Sequence, residues 1–281
     1  MSSHETHPAT VGEEPSPDLI RRLDARHVWH PVTQHAVLPR RPLLLITEAR
    51  GACVYDAEGR EYIDAMAGLW CVNIGYGRKE VADAAYEQML KLSYYPHTHV
   101  NEPAALLAEK VASIAPGNLE RTFFTNSGSE AVETALKIAR QYARRAHRGQ
   151  NRYKVIARYR GYHGWTLGAL SATGQMRRRN AFEPLVPGFY HARPPDCYRC
   201  PWGQKIESCE RECADEVEEI IRFQGPETVA AVIAEPIIGG GGVIPAPEGY
   251  LQKLRAACDR YGVLLIFDEV ITGFRLCYGG V

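Results

Sequence analysis

Four short clusters in this chain carry residue types that could do chemistry together. Asn126-Ser-Gly-Ser-Glu130 has Ser127 and Glu130 at capping-box spacing, with Gly128 between them. A glycine there lets a ligand come close to the backbone, and free amides at a helix start form an anion site. Gly161-Tyr-His-Gly164 holds Tyr162 and His163 between two glycines, so a flat ring is offered for stacking. Glu235 directly follows the apolar run Val229-Ala-Ala-Val-Ile-Ala234, and Asp268 directly follows Val263-Leu-Leu-Ile-Phe267. An anion cradle, a stacking ring and carboxylates at strand ends suit a phosphorylated, aromatic, nitrogen-containing cofactor, whose ring nitrogen an acid would hold protonated. Each cluster also has a plainer reading. Ser127 could simply cap a helix, Tyr162 could face the core from a surface loop, and Asp268 could cap a turn.

What would bring these clusters to one place is an alternation of helices and strands. Apolar spacing predicts helices over 81–92, 103–114, 130–145, 214–223 and 247–261. On the helix over 103–114, Leu106, Leu107 and Val111 form the apolar side; on that over 130–145, Val132, Leu136 and Ala139 do. Short apolar runs predict strands at 121–125, 154–157, 229–234 and 263–267, the last two buried on both faces. Such a sequence folds as α/β, a mostly parallel sheet with helices on both faces. In open sheets of this class ligands sit beyond the carboxyl ends of the strands, where Tyr162, Glu235 and Asp268 all fall. Further upstream, turn chemistry at 56–59 predicts a hairpin. The glycine-containing stretch Ala67-Gly-Leu-Trp-Cys-Val-Asn-Ile-Gly-Tyr-Gly77 offers Trp70 and Tyr76 either as pocket walls or as packing residues. The four consecutive glycines 239–242 indicate tight backbone geometry or mobility and do not open a helix, which sets them apart from a dinucleotide fingerprint.

Composition narrows the class. The 281 residues carry 33 Lys+Arg against 33 Asp+Glu, so there is no basic footprint for nucleic acid. No apolar run approaches the roughly 18 residues of a membrane helix. The polar stretch 1–18 lacks a signal-peptide pattern, and a disordered tail over 1–20 is expected. On that reading the chain is cytoplasmic and its eight cysteines are mostly thiols. Cys197, Cys200, Cys209 and Cys213 fall in an insertion over 194–213 with spacing similar to a zinc site; reduced thiols in a surface loop are the default expectation, and no metal is assigned.

Taken in order, Ala67-Gly-Leu-Trp-Cys-Val-Asn-Ile-Gly-Tyr-Gly, Asn-Ser-Gly-Ser-Glu-Ala, Tyr-His-Gly, Ala-Glu-Pro-Ile and Phe-Asp-Glu-Val-Ile-Thr-Gly-Phe resemble the class III, omega-type aminotransferases. The resemblance runs from about residue 29 to 274. It implies fold type I of the pyridoxal-phosphate enzymes, with a tail over 1–20, part of a small domain over 21–75 and a large cofactor domain from 76 to 281. By position it implies that Ser127, Gly128 and Ser129 bind the cofactor phosphate. Tyr162, with His163 beside it, would stack on the pyridine ring, Asp268 would pair with the ring nitrogen, and Val270 would cover the other ring face. Glu235 becomes an acid near the substrate, counted with Asp268 as catalytic, and Trp70 a substrate-pocket residue. Partners implied are an amino donor (an omega-amino acid or amine), a keto acid such as pyruvate, and a second copy in a homodimer. A Cys-Tyr-Arg-Cys-Pro loop also occurs in taurine–pyruvate-like members. A racemase or aminomutase of the same fold is the neighbouring alternative. One departure stands out: the family's Schiff-base lysine lies downstream of the Asp-Glu-Val motif, and here the last lysine is Lys253. The expectation is a truncated chain that lacks the C-terminal part of the fold and has almost no activity by itself; a non-catalytic remnant is the further alternative.

Overall fold

The computed structural model describes residues 15–278. The chain divides into two compact units, Met1–Pro96 and His97–Val281. The division falls beyond the expected boundary at 75/76, because the helix after the glycine stretch belongs to the first unit.

The first unit begins with α1 (Pro17–His27), which Ser16 caps by accepting the Leu19 amide. The tail expected over 1–20 is therefore corrected at its end: residues from Pro17 onward are helical, and residues 1–14 lie outside the described ones. Three antiparallel strands follow, β1 (Ile46–Arg50), β2 (Cys53–Asp56) and β3 (Glu61–Ile63), then α2 (Ala67–Trp70) and α3 (Lys79–Leu92). The expected hairpin is the β2–β3 pair. Its turn is fixed by Asp56, whose side chain accepts the amides of Glu58 and Arg60, the Arg60 guanidinium and the Tyr62 hydroxyl.

The second unit runs α4 (Glu102–Ile114), α5 (Gly128–Ala146), β4 (Lys154–Arg158), α6 (Leu167–Ala172), α7 (Met176–Arg179), β5 (Phe189–Ala192), α8 (Glu212–Gln224), β6 (Val229–Ala234), β7 (Ile237–Ile238), β8 (Ile244–Pro245), α9 (Tyr250–Tyr261) and β9 (Leu264–Phe267). Four strands form a parallel sheet in the order β5-β4-β6-β9. Side chains alternate across it. Val155, Ala157 and Ile233 pack on α5 and α6 through Val132, Leu136, Ala169 and Ala172. Ile156, Val232 and Ala234 pack on α8 and α9 through Val217, Ile221, Leu254 and Cys258. β6 is central and every residue in it is buried, which is why it reads as an unbroken apolar run.

The strand order places a switch point at the sheet centre. From β4 the chain turns outward through α6 to β5; from β6 it turns the other way through α9 to β9. The crevice left between the carboxyl ends of adjacent β4 and β6 is where this architecture binds ligands.

Three expectations need correction. The 121–125 segment forms no strand, and Phe123 in it is 70 % exposed; among the described residues no neighbouring strand offers it a ladder. β9 is not buried on both faces: Leu264–Ile266 are half-buried and Phe267 is exposed, because β9 pairs only with β6 and forms the edge of the sheet. On α4, Leu106 and Leu107 are exposed, and this helix buries none of its residues.

Candidate active site

Every residue expected at the cofactor from the second unit lines one cavity of about 200 Å³. Its walls are Ser127, Gly128, Ser129, Tyr162, His163, Gly164, Glu235, Asp268, Val270 and Ile271. They come from the start of α5 and from the segments leaving β4, β6 and β9. A larger hollow of about 500 Å³ lies along β5, but three of its titratable groups are already engaged: Arg179 pairs with Glu183 at 3.5 Å, and His191 Nε2 donates to the Ala172 carbonyl at 3.1 Å. The chemistry converges on the smaller cavity.

Its anion side is the N-terminus of the 19-residue helix α5. Ser127 Oγ accepts the Glu130 amide at 3.2 Å, and Glu130 Oε2 accepts the Asn126 amide at 2.8 Å, a reciprocal cap. The cap reading of Ser127 therefore holds, and it leaves the amides of Gly128 and Ser129 without a partner among the described residues. Ser129 Oγ accepts the Trp165 amide at 2.9 Å, so both serine hydroxyls keep a proton to donate. Glycine is required at 128, since a Cβ there would stand 2.8 Å from Val270 Cγ1. It is required at 164 for two reasons: φ is +134°, and a Cβ would meet Ser129 Oγ at 2.6 Å.

The acid side is built on buried pairs. Asp268 Oδ2 accepts from His163 Nδ1 at 2.7 Å, and Oδ1 accepts the Val270 amide at 3.1 Å. A carboxylate can only accept, so Nδ1 donates; Nε2 is buried with no partner among the described residues. The His163 backbone is tied by its amide to Thr173 Oγ1 at 2.9 Å. Glu235 is held by backbone amides. Oε1 accepts the Tyr162 amide at 2.9 Å and Oε2 the Gly239 amide at 3.0 Å, so both oxygens hold loops together. Burial raises its pKa; the charge of His163 and the two amide bonds pull the other way. Arg158, almost wholly buried, donates to the Glu235 carbonyl and fixes the same corner.

Sequence reading gave no role to Thr173, Arg158 or Ile271. Their contacts bridge long separations in the chain, and no local spacing announces them. Trp70 sits in the first unit at the end of α2, 40 % exposed and with φ +71°. Cys197, Cys200, Cys209 and Cys213 are free thiols that line a narrow cavity of about 20 Å³. Among the described residues no group of three or more His, Cys, Asp or Glu side chains is disposed to hold a metal ion.

The family model for class-III aminotransferases matches residues 35–279. The chain belongs to the class-III aminotransferases. It is 51 % identical over 255 residues to the uncharacterized aminotransferase YhxA of Bacillus subtilis, covering 91 % of this chain and 55 % of the relative. It is 42 % identical to the hypotaurine/taurine–pyruvate aminotransferase of Paracoccus denitrificans, covering 89 % and 54 %. Among solved structures, a thermostable (S)-enantioselective omega-transaminase from Thermomicrobium roseum superposes with a TM-score of 0.88 at 42 % identity, over 93 % of this chain and 59 % of that one. The chain thus spans about half the length of the curated relatives it matches. The fold is fold type I of the pyridoxal-phosphate enzymes, and pyridoxal 5′-phosphate is the cofactor of this class-III aminotransferase family. Among the described residues no helix is long and apolar enough to cross a membrane.

The residues present fit that cofactor. Two unpartnered amides at a helix N-terminus, with two serine hydroxyls, suit a phosphate. A buried carboxylate at the switch-point edge suits a pyridinium nitrogen, and Tyr162 and Val270 suit the two faces of a ring.

Proposed function

We propose that this chain carries the cofactor-holding part of an aminotransferase that moves an amino group from an omega-amino acid or amine to a keto acid such as pyruvate. The observation that supports this reading most is the convergence of Ser127–Ser129, Tyr162, Asp268 and Val270 on one cavity at the switch-point edge of the sheet. When bound, pyridoxal phosphate supplies an electron sink for bond breaking at the carbon that bears the amino group. The chain's own residues prepare the place for it. The Gly128 and Ser129 amides and the serine hydroxyls would hold the phosphate. Asp268 would keep a proton on the ring nitrogen, and His163 holds Asp268 in place through Nδ1. Glu235 acts on position, clamping the Tyr162 and Gly239 loops. Trp70 is proposed to shape the amino-donor pocket and a homodimer to be the assembly.

No lysine lines the cavity among the described residues, and Lys253 is engaged elsewhere, donating to the Glu210 carbonyl at 2.6 Å and to Asp215 Oδ2 at 2.7 Å. Residues 269–281 contain no lysine. We therefore expect the 281-residue chain alone to turn over almost no substrate. The test compares it with a chain extended through a lysine downstream of Asp268, assayed for alanine formed from pyruvate with taurine, β-alanine and simple amines as donors. Turnover only in the extended chain supports the reading. Robust turnover by residues 1–281 would remove the argument from the lysine, and no transfer by the extended chain from any donor would remove the proposed activity.

A further inference from the structure

The ring that faces the cofactor cavity is held from outside the cavity. Arg178, in α7, places its guanidinium 4.8 Å from the centroid of the Tyr162 ring and 5.8 Å from that of Trp165. Arg178 is half-buried, and it makes no ion pair among the described residues. Its Nε donates to Gln175 Oε1 at 2.8 Å, and Gln175 Nε2 donates to the Arg160 carbonyl at 3.0 Å. Arg160 lies two residues before Tyr162. The guanidinium is therefore anchored to the very loop whose ring it covers.

We propose that Arg178 is a positioning residue for the cofactor site: its planar cation fixes the plane of the Tyr162 ring so that the ring presents a prepared surface to the pyridine of pyridoxal phosphate. The inference rests on the reading of the cavity as the cofactor's. A guanidinium over a tyrosine face is attracted by the ring quadrupole and matches it as a flat object; a lysine ammonium supplies the charge without the plane. Tyr162 needs such support because its own hydrogen bond to the frame is through backbone: Glu235 accepts its amide, none reaches its side chain among the described residues, and glycines stand on either flank of the Tyr-His pair. A ring already fixed loses less freedom when a ligand stacks on it, and binding is tighter for that reason.

The experiment is a fluorescence-quenching titration of the full 281-residue chain with pyridoxal phosphate. It is run on the wild type and on Arg178→Met, Arg178→Lys, Tyr162→Ala and the Arg178→Met/Tyr162→Ala double variant, each shown to be folded by thermal melting without cofactor. Inorganic phosphate is titrated in parallel as a competitor. Arg178→Met should weaken cofactor binding about tenfold and Arg178→Lys by less, while phosphate affinity stays unchanged. In the Tyr162→Ala background, Arg178→Met should have no further effect, because Arg178 acts through that ring. Three results overturn the proposal: wild-type affinity in Arg178→Met, an undiminished loss in the Tyr162→Ala background, or a parallel loss of phosphate affinity, which would make Arg178 a direct phosphate ligand. If the wild type itself binds no pyridoxal phosphate, the reading of the cavity falls together with this one; if it binds and Arg178→Met binds equally well, only this one falls.

Discussion

Replacing Asp268 by Asn probes the acid side with the least change of shape. In the wild type the carboxylate accepts from His163 Nδ1 at 2.7 Å and from the Val270 amide at 3.1 Å, with the residue only 8 % exposed. An asparagine oxygen can still accept from Val270. Its amide nitrogen would then face Nδ1, a donor, so the contact to His163 survives only if Nδ1 gives up its proton and accepts. A charged hydrogen bond worth about 1.5–3 kcal/mol is exchanged for a neutral one worth about 1 kcal/mol. The net loss is about 0.5–2 kcal/mol. For a unit of this size that lowers the melting temperature by about 1–8 °C, at about 2–4 °C per kcal/mol. Cofactor binding should suffer separately, since the ring nitrogen loses a charged partner worth about 1.5–3 kcal/mol, or about 10- to 150-fold in affinity. The assay is thermal melting without ligand, then titration with pyridoxal phosphate and with inorganic phosphate. Phosphate affinity should hold, because its amides lie at the start of α5. An Asp268→Asn chain that melts like the wild type and binds the cofactor equally well would refute the assignment of Asp268.

Further outcomes follow from the same geometry. Gly164→Ala should destabilise the second unit by about 1–3 kcal/mol in urea titrations, since the new Cβ meets Ser129 Oγ and Ala169 Cβ at a backbone angle that L-residues avoid. His191 is pushed down to about 4 by burial, with the charge of Arg179 adding to it. Its folded value lies below its unfolded 6.5, so the unfolded chain binds the extra proton, and stability is complete above pH 6.5 and falls as pH drops from there toward 4; His191→Gln should flatten that part of the pH–stability curve. Burial pushes the Cys213 and Cys258 thiols up to about 12. A thiol reagent at neutral pH should label exposed Cys71 and Cys197 in the native chain and reach Cys213 and Cys258 only on unfolding; rapid native labelling of Cys258 would contradict its place under the sheet.

The core of this fold was legible because its strands are unbroken apolar runs and its helices keep strict spacing. Val229–Ala234 is buried throughout as read, and α5 buries the Val132, Leu136 and Ala139 that its period selects. The site residues were legible as strand-end and helix-start groups, and the sheet brings those of the second unit to one cavity. What sequence could not show is how each polar group is engaged. Glu235 stands where expected, yet its oxygens serve two backbone amides 73 and 4 residues away. The apolar content of 121–125, β9 and α4 predicted burial, but burial depends on a neighbour, and the period of a segment does not say whether the neighbour is there.

The central claim is that the cavity at the β4–β6 edge holds pyridoxal phosphate in one orientation. A crystal structure of the chain soaked with pyridoxal phosphate tests it most directly. The account predicts the phosphate on the Gly128 and Ser129 amides, the ring against Tyr162 and the ring nitrogen on Asp268; a phosphate bound elsewhere, or a ring nitrogen turned away from Asp268, would contradict it.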